Sequence, residues 1–162
     1  MVSPSFAPRD KVERLGAKLY LLWAGLSIGV ALLATPAKFL APSLTLSVAL
    51  DVGQHTFRVY NGVELALLVV LLVLGAKSKW RKRWFLGVLV PGAIILVQTF
   101  WLISVLDLRV LAIQAGHSPP PSHLHAIYIT AEVFKVLWLL FLGLGDLFRG
   151  PVKRPRRTEP AR

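Results

Sequence analysis

Hydrophobic positions along this chain do not alternate, and they do not form a one-sided helical stripe. They fall into four long blocks, at about 19–39, 59–76, 85–106 and 126–144. Each block is near the roughly 20 residues that a tilted spanning helix needs. Aromatic residues flank the blocks: Tyr20 and Trp23, Tyr60, Trp80 and Trp84, Trp101, Tyr128. Such rings favour a membrane interface, where one side of the ring is apolar and the other wet. The pattern predicts an all-α integral membrane four-helix bundle.

Composition agrees. The chain is 55% hydrophobic and 17% charged over 162 residues, whereas a soluble domain is nearer 45–50% apolar and about 25% charged. Four spans use roughly 80 residues. That divides the chain into a basic N-terminus (1–18), a four-span domain (19–145) and a basic tail expected to be disordered (146–162), with no room for a second soluble domain. With no cysteine, disulfides and thiolate chemistry are excluded.

Charge then sets direction. Fifteen of the 19 Lys and Arg lie in the N-terminal segment, in the 77–83 connection or in the tail; the other two connections hold only Lys38, Arg58 and Arg109. The positive-inside rule places both termini in the cytoplasm. A cleavable signal peptide ending at Ala34-Thr35-Pro36-Ala37 is the competing reading of residues 9–37. The long apolar stretch and the proline within the cleavage motif disfavour it. The run Lys153-Arg154-Pro155-Arg156-Arg157 reads as a topology signal able to touch anionic lipid. It has no interleaved aromatics for stacking, so nucleic acid is not expected as a partner.

The polar residues inside the apolar blocks carry the functional interest. The second and fourth blocks share a pattern: His55, Tyr60, Glu64 and Gly75 recur, at one constant offset, as His123, Tyr128, Glu132 and Gly143. This suggests a parallel two-plus-two internal repeat. Within the fourth block, His125, Tyr128, Glu132 and Lys135 fall within a stripe of about 80°. Arg58, Asn61 and Glu64 make a similar stripe in the second, and Gln98 is the polar contact of the third. A charge at the bilayer centre costs about 2.5–3.5 kcal/mol on insertion scales, so such groups face the bundle interior and find partners. The candidate intramembrane site is therefore Tyr60, Asn61, Glu64, Gln98, Tyr128, Glu132 and Lys135. Its expected depth is roughly 6–8 Å inside the outer boundary for Glu64, with Lys135 nearer the middle.

Two chemistries suit that set. Glu64 and Glu132 can share or relay a proton, or Lys135 can simply form a structural ion pair with either. His55, His123 and His125 are candidate outer-face ligands, since imidazole and carboxylate suit several divalent metals. The bland reading is loop histidines at a wet interface. No cofactor is predicted, and no phosphate-binding, HExxH or GxSxG motif marks an enzyme. Gly25 and Gly29 form a GxxxG step in the first block, read as close packing between spans. Beyond the bilayer, expected partners are a second copy or a membrane-complex subunit, because four short helices enclose little volume for a pore.

The stretches 34–44 and 49–53, the run Gln98-Thr99-Phe100-Trp101-Leu102 with Asp107 and Arg109, and Tyr128 to Lys135 resemble small four-helix bacterial inner-membrane proteins of unknown function. More distantly, the chain is similar to membrane domains of the CopD copper-resistance type. The resemblance implies a bacterial inner-membrane location and the same topology, and it supplies no activity. Two roles remain open: binding or transport of a proton, metal ion or small solute through an outer-half polar site, or an accessory subunit whose polar stripe only locks helix packing.

Overall fold

The computed structural model describes residues 6–7, 11–78, 81–117, 119–148 and 152–153. The chain forms four helices: α1 (Lys11–Leu40), α2 (Leu46–Lys77), α3 (81–114) and α4 (Leu124–Phe148). All four contain a stretch long and apolar enough to cross a membrane. Only about a third of each such stretch is buried inside the bundle. The outward faces carry Leu22, Leu33, Val59, Val69, Leu86, Phe100, Leu137 and Phe141 in the open. Apolar surface on that scale calls for lipid rather than water around it.

Successive helices run antiparallel, as the cross-contacts show: Ser27 meets Tyr60 while Trp23 meets Glu64, Arg58 meets Asp107 while Leu71 meets Trp84, and Gln98 meets Glu132 while Gly87 meets Trp138. Around the bundle, α1 and α3 each neighbour α2 and α4, so α2 and α4 stand diagonally opposite. One end of the bundle holds Lys11, Lys77 and Lys82, with the short pairing of Phe6–Ala7 to Val152–Lys153. This is the basic end. The other holds His117, His123 and the 41–45 and 115–123 connections, and is the histidine end. Of the 146–162 tail expected to be disordered, 146–148 continue α4 and 152–153 pair with Phe6–Ala7, so the expectation does not hold there; the remainder lies outside the described residues.

The helices outrun the apolar blocks. The second begins at Leu46 rather than near 59, and the third continues to Gln114 rather than stopping near 106. Asp51, His55 and Thr56 interrupt the apolar run without breaking the helix: Thr56 bonds back to the carbonyl of Val52, and Asp51 faces His55 one turn on. Thr45 supplies the N-cap, its hydroxyl accepting from the Val48 amide at 3.4 Å. At the far end of α3, Gly116 takes a positive φ of 81°. The amides of Gly116 and His117 return to the carbonyls of Ile113 and Ala112, a Schellman closure that a glycine makes without strain.

Two helices contain π-helical turns, at Ile28–Ala34 in α1 and Gln98–Leu102 in α3. The separation of their starts is close to the offset that relates α2 to α4. In α1 the turn lies just before Pro36, whose ring has no N–H to give. There Thr35 returns both its amide and its hydroxyl to the carbonyl of Val30.

Toward the basic end the core is dry and tight. Trp84 lies between α1 and α2, its indole N–H donating to the carbonyl of Leu71 at 2.7 Å, with Tyr20, Leu68, Val88 and Leu139 around it. Gly16 and Gly75 admit that ring: a β-carbon on either would land on the indole. Gly143 likewise lets α1 approach α4, against Leu21 and the carbonyl of Ala17. Gly25 and Gly29 do not fill the role expected of them. Nothing lies within 4 Å of a β-carbon built on either, and Gly25 is exposed. The GxxxG spacing is a local pattern; which face of α1 turns inward is decided by Gly16, Tyr20, Trp23 and Ser27, one helical stripe away.

Gly75→Ala should therefore destabilise by about 1–3 kcal/mol through overpacking against a rigid ring, whereas Gly25→Ala should stay within about 0.5 kcal/mol of the parent. Thermal unfolding of detergent-solubilised protein measures both.

Candidate functional site

At mid-height the four helices turn seven polar side chains toward one another. From α1 come Trp23 and Ser27, from α2 Tyr60 and Glu64, from α3 Gln98, and from α4 Glu132 and Lys135. Glu64, Gln98, Glu132 and Lys135 are each at most 1% exposed. Spacing explains the convergence: 60 and 64, and 132 and 135, are one helical turn apart and share a face.

Lys135 is the hub. Its ammonium lies 2.5 Å from Glu64 Oε1 and 2.8 Å from Glu132 Oε2, and donates to the Gln98 carbonyl oxygen at 3.3 Å. Three donors thus find three acceptors, the full capacity of a lysine. Glu64 Oε1 also accepts from the Trp23 indole N–H and the Tyr60 hydroxyl, each at 2.7 Å. Glu132 Oε2 accepts from the Gln98 amide at 3.1 Å, and its Oε1 lies 3.1 Å from the Tyr60 hydroxyl. The Ser27 hydroxyl meets Tyr60 from the other side at 2.5 Å. Among the described residues no buried side-chain nitrogen or oxygen lacks a partner. Beside the cluster, Asn61 and Thr99 clasp α2 to α3, the Asn61 amide donating to Thr99 at 2.8 Å while Thr99 reaches the Ile95 carbonyl.

The structure thus gathers Tyr60, Glu64, Gln98, Glu132 and Lys135, with Asn61 one contact away. Tyr128 is buried but stands apart, packed edge-on against Phe57 at 5.1 Å. Lys135 bonds both carboxylates rather than one. Glu64 and Lys135 touch, so they share one level. The depth difference expected from sequence comes from starting the second helix near 59, where the structure starts it at Leu46. Arg58, placed in sequence on the Glu64 stripe, points away and pairs with Asp107 at 2.9 Å.

Two cluster members, Trp23 and Ser27, are additions to the set expected from sequence. Trp23 reads in sequence as an interfacial aromatic but is fully buried. The available signal is its spacing: Gly16, Tyr20, Trp23 and Ser27 follow steps of three and four along one face of α1.

The histidines expected at the outer face do not assemble. His55 is exposed and bonds its own helix at Asp51, and His123, just before α4, and His125, in its first turn, are exposed. Among the described residues no group of three or more His, Asp or Glu is placed to hold a metal ion.

Between the cluster and the histidine end lies a cavity of about 290 Å³. All four helices line it, mostly with apolar side chains such as Phe39, Leu50, Ile103, Leu106 and Val110; Lys38, Asp107, Arg109 and His125 add polar groups. Phe57 and Tyr128 close it toward the cluster.

No protein-family model, curated protein or solved structure matches the chain.

Removing one member of a buried ionic cluster leaves the rest uncompensated, at a cost of about 3–5 kcal/mol, whereas replacing all charged members together is far milder. Lys135→Met should lose stability on that scale. Adding Glu64→Gln and Glu132→Gln to it should recover most of the loss, read by the same thermal transition.

Proposed function

We propose that this membrane protein is a proton-binding one: the Glu64–Lys135–Glu132 cluster holds one proton between its two carboxyls and exchanges it during function. The observation that carries this reading is the position of the Tyr60 hydroxyl within hydrogen-bond distance of both carboxylates. A hydroxyl has one proton and donates once. If it donates to Glu64, the shorter contact, then the contact to Glu132 Oε1 is a hydrogen bond only when Glu132 brings its own proton to the Tyr60 oxygen. In that state Glu132 Oε2 still accepts from Lys135 and Gln98, Glu64 remains the anion opposite Lys135, and the cluster is neutral. Without the extra proton two carboxylates face one ammonium, leaving one negative charge in the bundle interior, where ions are costly. Losing the proton therefore favours a rearrangement that brings in water, a cation or a second proton, which is the property a proton relay or a proton-coupled transport step uses.

The second reading is an accessory or assembly subunit in which the same cluster only fixes helix packing. Complete hydrogen-bond satisfaction favours it. Infrared spectroscopy separates the two. The proton reading expects a carboxylic-acid C=O band that is missing from Glu132→Gln, a substitution that keeps the fold because the amide mimics the protonated acid. Glu64→Gln should instead destabilise by about 3–5 kcal/mol, as it strips Lys135 of its anion. No such band, with Glu132→Gln as damaging as Glu64→Gln, would leave packing as the role.

For topology, we propose a multi-pass protein of a bacterial inner membrane with the basic end, and both termini, in the cytoplasm. The clustering of Lys and Arg at one end supports it. The chain has no cysteine, so single probes are clean. Ser122→Cys should react with an impermeant maleimide in intact cells, and Lys82→Cys only after lysis. The reverse pattern overturns the orientation.

A further inference from the structure

The cavity beside the cluster is lined by none of the proton-binding residues, and its lining points to a ligand. It is apolar almost throughout, yet Lys38 projects into it from the last turn of α1. The lysine is accommodated by Gly53 on α2: a β-carbon there would occupy the position of the Lys38 ammonium. That ammonium lies 5.1 Å above the Phe39 ring, and among the described residues it has no carboxylate, hydroxyl or carbonyl partner. Of the other charges of the lining, the acidic one is paired with an ion and the basic one only with a neutral carbonyl. Asp107 is held by Arg58 at 2.9 Å, and Arg109 donates to the Pro120 carbonyl at 2.6 Å. Two cations, Lys38 and Arg109, thus lack an anion at the wall of an apolar cavity, and of the two only Lys38 is also without a hydrogen-bond partner among the described residues.

We infer that this cavity binds a free fatty acid, its carboxylate on Lys38 and its chain laid toward Phe57 and Tyr128. Charge complementarity selects the head, since an ammonium without a partner in an apolar wall gains most from a carboxylate. The walls select the tail. Size selects a single chain, because about 290 Å³ is at the low end of small-molecule pockets, roughly 300–1,000 Å³, and leaves no room for the two tails of a phospholipid. The inference is independent of the proton reading: it uses a different cavity and a different charged group.

The test is equilibrium binding of radiolabelled laurate to the full chain in nanodiscs of uncharged lipid, with empty nanodiscs as background and dodecanol as the uncharged analogue. Saturable, protein-dependent laurate uptake is expected. Lys38→Gln should weaken it about tenfold or more, the loss of one charge-assisted hydrogen bond, while Lys38→Arg largely preserves it. Dodecanol should bind weakly and ignore both changes. Leu50→Trp, which fills the cavity and leaves Lys38 in place, should abolish laurate binding. Each variant is first shown to keep the parent's thermal transition. Laurate uptake no greater than in empty nanodiscs overturns the inference. So does equal uptake of laurate and dodecanol unaffected by Lys38→Gln, which marks a crevice filled by ordinary bilayer lipid. Survival of binding in Leu50→Trp places the carboxylate on the surface and overturns it as well.

Discussion

The bundle is organised around one constraint: two carboxylates and a single ammonium sit where water cannot reach. In such a place Coulomb attraction is strong, but so is the penalty for any group left unpaired. Each helix therefore contributes. Tryptophan and serine from α1, tyrosine from α2 and glutamine from α3 occupy the hydrogen-bonding positions that the Lys135 ion pairs leave over. Remove the ions and those neighbours lose their partners. Remove the neighbours and the ions lose theirs. Lipid supplies no hydrophobic drive to hold helices together, so such a cluster is also a strong reason for these four to share one register.

The near-repeat clarifies how the cluster is built. The two helices that share the His-Tyr-Glu-Gly pattern stand diagonally across the bundle, and of their matched residues Glu64 and Glu132 meet near its axis around Lys135. A symmetric pair of acids there would repel. At the level of the acids symmetry is broken by Lys135, whose counterpart is Leu67. A single cation on one helix converts a repulsive pair into a shared one. The tyrosines diverge as well, for Tyr60 enters the cluster while Tyr128 turns to Phe57 and the cavity. The π-helical turns of α1 and α3 follow nearly the same spacing, immediately after Ser27 and at Gln98, the points where those helices hand a polar side chain to the centre. Such turns recur at functional sites, where the extra residue re-aims a side chain.

Much of this is legible in the sequence, for identifiable reasons. Four apolar blocks give four helices because a bilayer admits no other backbone arrangement short of a closed barrel. Glu64, Glu132 and Lys135 stand out because an ion in an apolar block must find a partner. What apolar runs do not report is where a helix ends once it leaves the membrane-like stretch. Hydropathy therefore starts α2 near 59, well short of its true start at Leu46, and misplaces the depth of Glu64 with it. Nor does small-residue spacing say which face turns inward: Gly25 and Gly29 carry the pattern, while Gly16 and Gly75 make the contact, because Trp84 sits opposite them. Type and position alone make Trp23 an interface residue; its indole N–H is a donor to a buried anion, and that becomes visible only when Glu64 is known to lie across from it.

The two halves of the bundle differ in a way that bears on mechanism. Below the cluster, toward the basic end, Trp84, Tyr20, Val88 and Leu139 pack together, with Trp84 seated against Gly16 and Gly75. Above it the helices part around a cavity of about 290 Å³. Rearrangement is easiest where packing is incomplete, so any opening that hydrates the carboxylates should begin on the cavity side, at Phe57 and Tyr128. Those two rings are the lining residues one turn from Tyr60 and Glu132 in sequence. On the proposed reading, then, proton exchange is one-sided by construction: a dense floor seals the cluster from the basic end, and a thin aromatic layer separates it from the histidine end.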